Sequence, residues 1–128
     1  GMHGVFFIDE DYRIYINELF NSTDKNSVEF LKAYFTATPT LNYDINDDYL
    51  LKNEFMGYLV QQGVSFTSNY FANNLATRKG VNEKFPELCR YIKKTKAQGF
   101  VEAAMSLDEY LYNRWGMQTG REWTVYIN

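Results

Sequence analysis

Glu54 is the residue whose position in this sequence most strongly suggests chemistry. It lies in the segment 49–62, YLLKNEFMGYLVQQ, which places apolar side chains on nearly every side of a predicted helix. A helix that is apolar all round is normally buried, and an ionised carboxylate there is costly without a cation, a metal ion or several hydrogen-bond donors. We therefore expect Glu54 to be largely buried and paired with His3, an arginine or a pair of tyrosine hydroxyls.

His3 is the only histidine, so any histidine chemistry must use this residue. The ordinary interpretation of a histidine so close to a terminus is a solvated side chain. The single cysteine, Cys89, excludes an intrachain disulfide and falls in an apolar row that predicts a packed thiol. The sequence contains no glycine-rich phosphate loop, nucleophile elbow or Cys/His cluster.

Two segments, HGVFFIDEDYR at 3–13 and DDYLLKNEFMGYLVQQ at 47–62, resemble part of a bacterial zinc-metallopeptidase-like family of the gluzincin type. In such proteins one helix bears the motif H-E-x-x-H. A downstream helix bears a glutamate, often preceded by asparagine, as the third zinc ligand. The resemblance covers residues 2–62 and implies that His3 is the second histidine of the motif and Glu54 the downstream glutamate.

The resemblance also implies a function, the hydrolysis of a peptide bond by metal-bound water, with zinc as cofactor and a peptide or protein as substrate. It assigns the first histidine and the general-base glutamate to the two positions ahead of Gly1, so the chain would be the C-terminal part of a longer protein. Without those two residues we expect no appreciable peptidase activity from this chain. Tyr49, Tyr58 and Arg121 are the candidate substrate-binding residues.

Two alternatives remain open from the residues themselves. The first concerns Glu54, which could instead form a structural ion pair with one of the arginines Arg13, Arg78, Arg114 and Arg121. The second concerns the whole chain, which would be a non-catalytic helical domain that binds a protein partner through an aromatic, acidic face. Gly57, one turn after Glu54, permits the close approach of another helix or of a ligand.

The composition is that of one globular domain spanning residues 1–128, with 45% hydrophobic and 23% charged residues. Residues 1–54 carry a net charge of −6 and residues 55–128 a net charge of +3. Seven of the 13 basic residues fall between positions 78 and 96, but the chain is acidic overall and has no nucleic-acid-binding motif. We therefore interpret the basic stretch as a solvated helix face and expect no nucleic-acid partner.

No apolar run is long enough to span a membrane, and no basic-then-apolar secretion signal opens the sequence. These observations indicate a soluble protein. They leave the choice between the cytoplasm and export open, because a natural N-terminal segment would lie outside this sequence. The oligomeric state is left open as well.

Hydrophobic periodicity and capping residues predict a mainly α-helical single domain of five to seven helices, closed by a short C-terminal β-strand or hairpin. Asn26 and Asn46 are the expected caps of the second and third helices, and Ser106 that of the last. Alternating residues predict the strand at 121–127. The predicted helices cover residues 9–20, 26–38, 46–63, 67–79, 86–96 and 106–116.

Overall fold

Seven α-helices follow one another through residues 1–120, the part of the chain that the computed structural model describes. The prediction of a mainly helical domain is confirmed, although the seven α-helices and one π-helix, Asn69–Asn74, outnumber the predicted five to seven. The described residues contain no strand, and the predicted strand at 121–127 lies outside them. The α-helices are α1 (Met2–Ile8), α2 (Glu10–Ser22), α3 (Lys25–Ala37), α4 (Asp48–Val60), α5 (Lys79–Lys84), α6 (Pro86–Lys94) and α7 (Gln98–Trp115).

Aspartates cap α2, α3 and α4. The carboxylates of Asp9, Asp24 and Asp47 each accept a hydrogen bond from the backbone amide of the third residue of the helix, at 2.8, 3.0 and 3.1 Å. The prediction of Asn26 and Asn46 as caps was wrong. The α3 cap, Asp24, lies two residues before Asn26, and the α4 cap, Asp47, lies one residue after Asn46. At both positions a charged oxygen also interacts favourably with the helix dipole.

The last helix ends as predicted but begins earlier. Gly116 follows it in a left-handed conformation, with φ 67°, which glycine adopts without steric cost. The predicted start at Ser106 was wrong, because α7 already begins at Gln98 and Ser106 lies inside it. The Ser106 hydroxyl is hydrogen-bonded to the hydroxyl of Tyr15, at 2.6 Å, and does not cap a helix.

The predicted helix at 67–79 is a mixed segment. The π-helix lies between two 3₁₀ turns, Val64–Phe66 and Leu75–Thr77, and the chain is extended at Arg78 before α5 begins. Gly80, the residue after the predicted helix, lies within α5. A Cβ atom there would lie 3.2 Å from the Ala37 carbonyl oxygen, so this glycine allows close packing against the end of α3.

One hydrophobic core joins the helices. α4 packs against α1, α2 and α7, whereas α3 packs against α5 and α6. None of the helices in residues 1–120 is long and apolar enough to cross a membrane. The packing brings the N-terminal helix α1 onto α4, which positions the site described next. The largest fully buried side chains include Tyr12, Phe30, Phe55, Phe71, Phe100, Met56, Leu59 and Leu107.

Candidate functional site

A cavity of about 510 Å³ lies where α1, α4 and the π-helix meet. Its volume is in the range typical of small-molecule and cofactor sites, roughly 300–1,000 Å³. The lining is mixed, with aromatic, carboxylate, imidazole, amide and aliphatic side chains. The described lining residues are Met2, His3, Tyr43, Glu54, Gly57, Tyr58, Val60, Gln61, Tyr70 and Gly120.

One face of α4, together with its C-cap residue, supplies four of the ten described lining residues. Glu54, Gly57, Tyr58 and Gln61 follow the spacing i, i+3, i+4 and i+7, which places them along one stripe of an α-helix. The other faces of the same helix bury the apolar residues that anchor it in the core. Thus α4 is buried on most sides but opens to the cavity along this stripe.

His3 is held against α4 by Asn53 and Gly57. Its Nδ1 donates a hydrogen bond to Asn53 Oδ1 at 2.7 Å, and Asn53 itself is buried. A Cβ atom on Gly57 would lie 2.8 Å from His3 Nε2 and 2.7 Å from Cε1, so only glycine leaves room for the ring. The close approach that the sequence allowed at Gly57 is thus the approach of the His3 imidazole, the one imidazole in the chain.

Glu54 is half-buried and lines the open cavity, so its carboxylate is less enclosed than the apolar pattern of its helix predicts. The apolar pattern of the segment is real, but the missing side chain at Gly57 and the neighbouring cavity give the carboxylate an opening. Among residues 1–120, no lysine or arginine nitrogen lies within 4.0 Å of it.

The arginines considered as partners of Glu54 are engaged elsewhere. Arg13 donates to the Phe6 carbonyl at the end of α1, at 3.0 Å. Arg78 donates to the Tyr34 hydroxyl, and Arg114 forms an ion pair with Asp9 at 2.6 Å. Arg121 lies outside the described residues.

Three tyrosines face the same space as Glu54. Burial, followed by its interaction with the Glu54 carboxylate, raises the pKa of Tyr43 to about 12. Burial and then the neighbouring Tyr34, Tyr43 and Tyr70 raise the pKa of Tyr58, and burial also raises the pKa of Tyr70. The phenol groups therefore lie close together and stay protonated well above neutral pH.

The structure places the predicted site residues in different surroundings. His3, Glu54 and Tyr58 line one cavity. Tyr49 does not line it and packs instead on the rings of Phe6 and Phe7, at centroid distances of 5.1 and 5.6 Å. Tyr49 precedes Glu54 by five residues, which on an α-helix is a rotation of about 140°, so the two side chains leave α4 on different sides.

Sequence reasoning missed Tyr43, Tyr70 and the role of Asn53. Tyr43 belongs to a polar loop, and Tyr70 to a π-helix, which has no recognisable sequence signature. Asn53 matches only the asparagine that often precedes the downstream glutamate in the resembled family. Its position, one helical turn before Gly57, was a usable signal, because residues i and i+4 of a helix share a face.

The donor set suits zinc in type but not in number. Imidazole and carboxylate groups are ordinary zinc ligands, and catalytic zinc sites generally use about three from the protein. Residues 1–120 contain no cluster of three or more histidine, cysteine, aspartate or glutamate side chains suited to a metal ion. The described residues alone therefore offer His3 and Glu54, which is less than a catalytic zinc site.

Comparison with protein-family models, curated proteins and solved structures returned no match for this sequence. The function is therefore argued from the cavity and its residues.

Proposed function

We propose that this chain carries part of a gluzincin-like zinc site, with His3 and Glu54 as two of its ligands, and that the cavity is the peptide-binding cleft of a metallopeptidase-like protein. The observation that carries the proposal is that both residues line one cavity although they are 51 positions apart in the sequence. One carries the imidazole and the other the carboxylate that the resemblance requires.

The contact between Asn53 and His3 supports this proposal. Metal-binding histidines almost always donate the second ring N–H to an oxygen acceptor, which fixes the tautomer and leaves the other nitrogen for the metal. Here Nδ1 donates to Asn53 Oδ1, so Nε2 is the nitrogen left for a ligand. Asn53 adjoins Glu54 in the sequence, so the helix that bears one proposed ligand also orients the other.

The first histidine and the general base are expected, from the resemblance, in the two positions ahead of Gly1. When bound, zinc would polarise a peptide carbonyl and lower the pKa of a water molecule. The residues of this chain would hold the ion and the peptide. The general base typically contributes about 10²–10⁴-fold to the rate, so this chain alone should not cleave peptides.

The zinc half-site is tested by calorimetric titration of zinc into the purified chain. We expect weak binding that His3→Gln and Glu54→Gln each remove. Glu18→Gln is the matched control, because it makes the same charge change at an exposed position of α2. Zinc affinity that is unchanged by both cavity variants would overturn the proposed ligand pair.

The catalytic part is tested by extending the chain with the natural residues that precede Met2. We expect the extended protein to cleave casein in the presence of zinc and Glu54→Gln to abolish that activity. The same assay on the 128-residue chain should give no cleavage. An extension without a histidine and a glutamate, or one that is inactive with zinc, would instead favour the non-catalytic interaction domain.

A further inference from the structure

One carboxylate and three tyrosines line the same cavity, and no lysine or arginine is found among its described lining residues. The faces of tyrosine rings and the lone pairs of hydroxyl oxygens both carry negative potential, as the carboxylate does. We propose that this cavity binds an organic ammonium group, such as a lysine side chain or a methylated amine, with Glu54 as the counter-charge and Tyr43, Tyr58 and Tyr70 as the aromatic wall.

The aromatic wall is a connected array of packed rings. Tyr58 lies 6.4 Å from Tyr70 and 5.4 Å from Phe35, and Phe35 in turn lies 4.9 Å from Tyr43, all between ring centroids. Each ring is held by a neighbour, so little side-chain freedom is lost when a ligand binds. Such preorganisation favours affinity because the ordering cost is met during folding.

Tyr34, which packs on the cavity tyrosine Tyr58, already contacts a cation of the protein itself. The guanidinium carbon of Arg78 lies 5.4 Å from the centroid of the Tyr34 ring, and Tyr34 packs on Tyr58 at 6.2 Å. Arg78 is exposed and does not line the cavity. A tyrosine packed on the cavity wall thus already contacts a positive charge, and the cavity itself adds a carboxylate to tyrosine rings of the same kind.

Tyr70 reaches the cavity from the π-helix Asn69–Asn74. π-Helical turns are rare and frequently occur at functional sites. The π-helix lies between α4 and α5 in the sequence and carries one of the three cavity tyrosines. This placement supports a binding role for Tyr70 rather than a purely structural one.

The inference is tested by NMR titration of the ¹⁵N-labelled chain with two cations and their uncharged isosteres. The probes are choline against 3,3-dimethylbutan-1-ol, and N-acetyl-lysine methylamide against N-acetyl-norleucine methylamide. We expect at least one cation to bind about tenfold more tightly than its isostere, a difference of about 1.4 kcal/mol. The amides of Gly57, Tyr58 and Gln61 should shift most.

Comparing the two cations shows which groups of the cavity bind the ligand. Preference for choline would indicate the ring faces, since choline has no N–H donor, whereas preference for the lysine derivative would indicate hydroxyl and carboxylate acceptors. Isosteres that bind as tightly as both cations would overturn the inference. So would cation binding that shifts amides elsewhere and leaves those of α4 unchanged.

Variants assign the binding to the named residues. Glu54→Gln and Tyr70→Leu should each weaken cation binding about tenfold, whereas Glu18→Gln and Tyr112→Leu, both at exposed positions outside the cavity, should leave it unchanged. Tyr70→Phe separates a folding defect from a binding defect, because it keeps the ring and its packing. Unchanged affinity in Glu54→Gln would overturn the role of the carboxylate.

This inference stands apart from the proposed zinc half-site, although both use Glu54. Repeating the titration with saturating zinc tells their failures apart. If His3 and Glu54 bind zinc, the ion should lower the affinity for the cation. Cation binding that zinc does not affect would support the ammonium site and contradict the zinc half-site.

Discussion

Two tyrosine clusters in this molecule differ in what the charged groups beside them contact. One, the α2–α7 corner, comprises Tyr12, Tyr15, Tyr110 and Trp115, and its Tyr15 and Tyr110 rings stack at a centroid distance of 3.9 Å with an angle of 6°. The other is the cavity wall formed by Tyr43, Tyr58 and Tyr70. Both are aromatic clusters with polar tips next to charged groups.

The difference lies in what meets the polar groups. In the α2–α7 corner, the Tyr15 hydroxyl is hydrogen-bonded to Ser106, and Arg114 bonds both Asp9 and the Tyr110 hydroxyl. At the cavity, Glu54 forms no ion pair within the described residues. A charged group that is paired within the protein contributes to stability, whereas the carboxylate at the cavity, which forms no ion pair, is available to a cationic ligand. Residue type alone does not separate these roles.

The largest expected contrast comes from truncating one tyrosine in each cluster. Tyr110→Ala removes stacking and edge contacts with three rings and should lower the free energy of unfolding by about 2–4 kcal/mol. Tyr70→Ala should cost less, because this residue faces the cavity on one side. Urea denaturation followed by far-ultraviolet circular dichroism measures both.

Equal stability losses in the two variants would contradict the distinction between the clusters. The complementary measurement is the choline titration, which Tyr110→Ala should leave unchanged in any folded protein. A folded Tyr110→Ala variant that loses choline binding would show that the corner also supports the cavity.

Asp9 gives the second contrast, since its carboxylate caps α2 and pairs with Arg114. Asp9→Ala should cost about 1–2 kcal/mol, mainly through loss of the cap. The Arg114 guanidinium, followed by the Tyr12 amide, holds the pKa of Asp9 below its ordinary 3.8. A lowered pKa stabilises the fold above the ordinary value, and this contribution is lost as pH falls through the lower, folded value.

Asp9→Asn is the matched control, because asparagine caps a helix nearly as well but carries no charge. It should retain most of the stability at pH 7 and lose only the acid-dependent part. Thermal unfolding between pH 2 and pH 7 measures this. A stability curve for Asp9→Asn that falls with acid as steeply as that of the unchanged protein would contradict the assignment to Asp9.

Local signals in the sequence were enough for several elements and failed for others. Pro86 begins α6 and Gly116 follows α7 as predicted, because both residues act through their own backbone geometry. The helix Met2–Ile8 was missed because Val5–Ile8 is a continuous apolar run without helical periodicity. The π-helix was not predicted, because no residue pattern specifies one.

The candidate site was only partly predictable, because tertiary packing as well as local residue patterns determines it. Glu54 and His3 were selected by residue type and by the family resemblance, and the structure brings both to one cavity. The exposure of Glu54 depends on how α1, the Tyr43 loop and the π-helix pack around α4. That packing is tertiary, and the apolar pattern of α4 contains no information about it.

The Tyr12 hydroxyl is an exception in the α2–α7 corner and gives the third prediction. It is buried without a hydrogen-bond partner among the described residues, and burial raises its pKa. An unpaired buried hydroxyl costs about 1–3 kcal/mol, so Tyr12→Phe should stabilise the protein by about 1 kcal/mol. Urea denaturation measures this, and a loss of stability would reveal a partner for the hydroxyl.

The smallest expected effect is a difference in stability between the alanine variants of two helical glycines, Gly57 beside the cavity and Gly4 on α1. Alanine at Gly4 meets no atom within 4 Å and should stabilise the helix by about 0.5–1 kcal/mol. Alanine at Gly57 gains the same helix propensity. Its Cβ would lie 2.8 Å from His3 Nε2, however, so the ring must move and its hydrogen bond to Asn53 breaks.

That hydrogen bond contributes about 0.5–1.5 kcal/mol, so Gly57→Ala should leave stability nearly unchanged while Gly4→Ala raises it. The displacement of His3 is visible separately, as the loss of nuclear Overhauser contacts between its ring protons and Asn53. These contacts should persist in Gly4→Ala. If Gly57→Ala stabilises as much as Gly4→Ala and keeps the contacts, His3 is not held against α4 as described, and the proposed orientation of its ring toward the cavity fails.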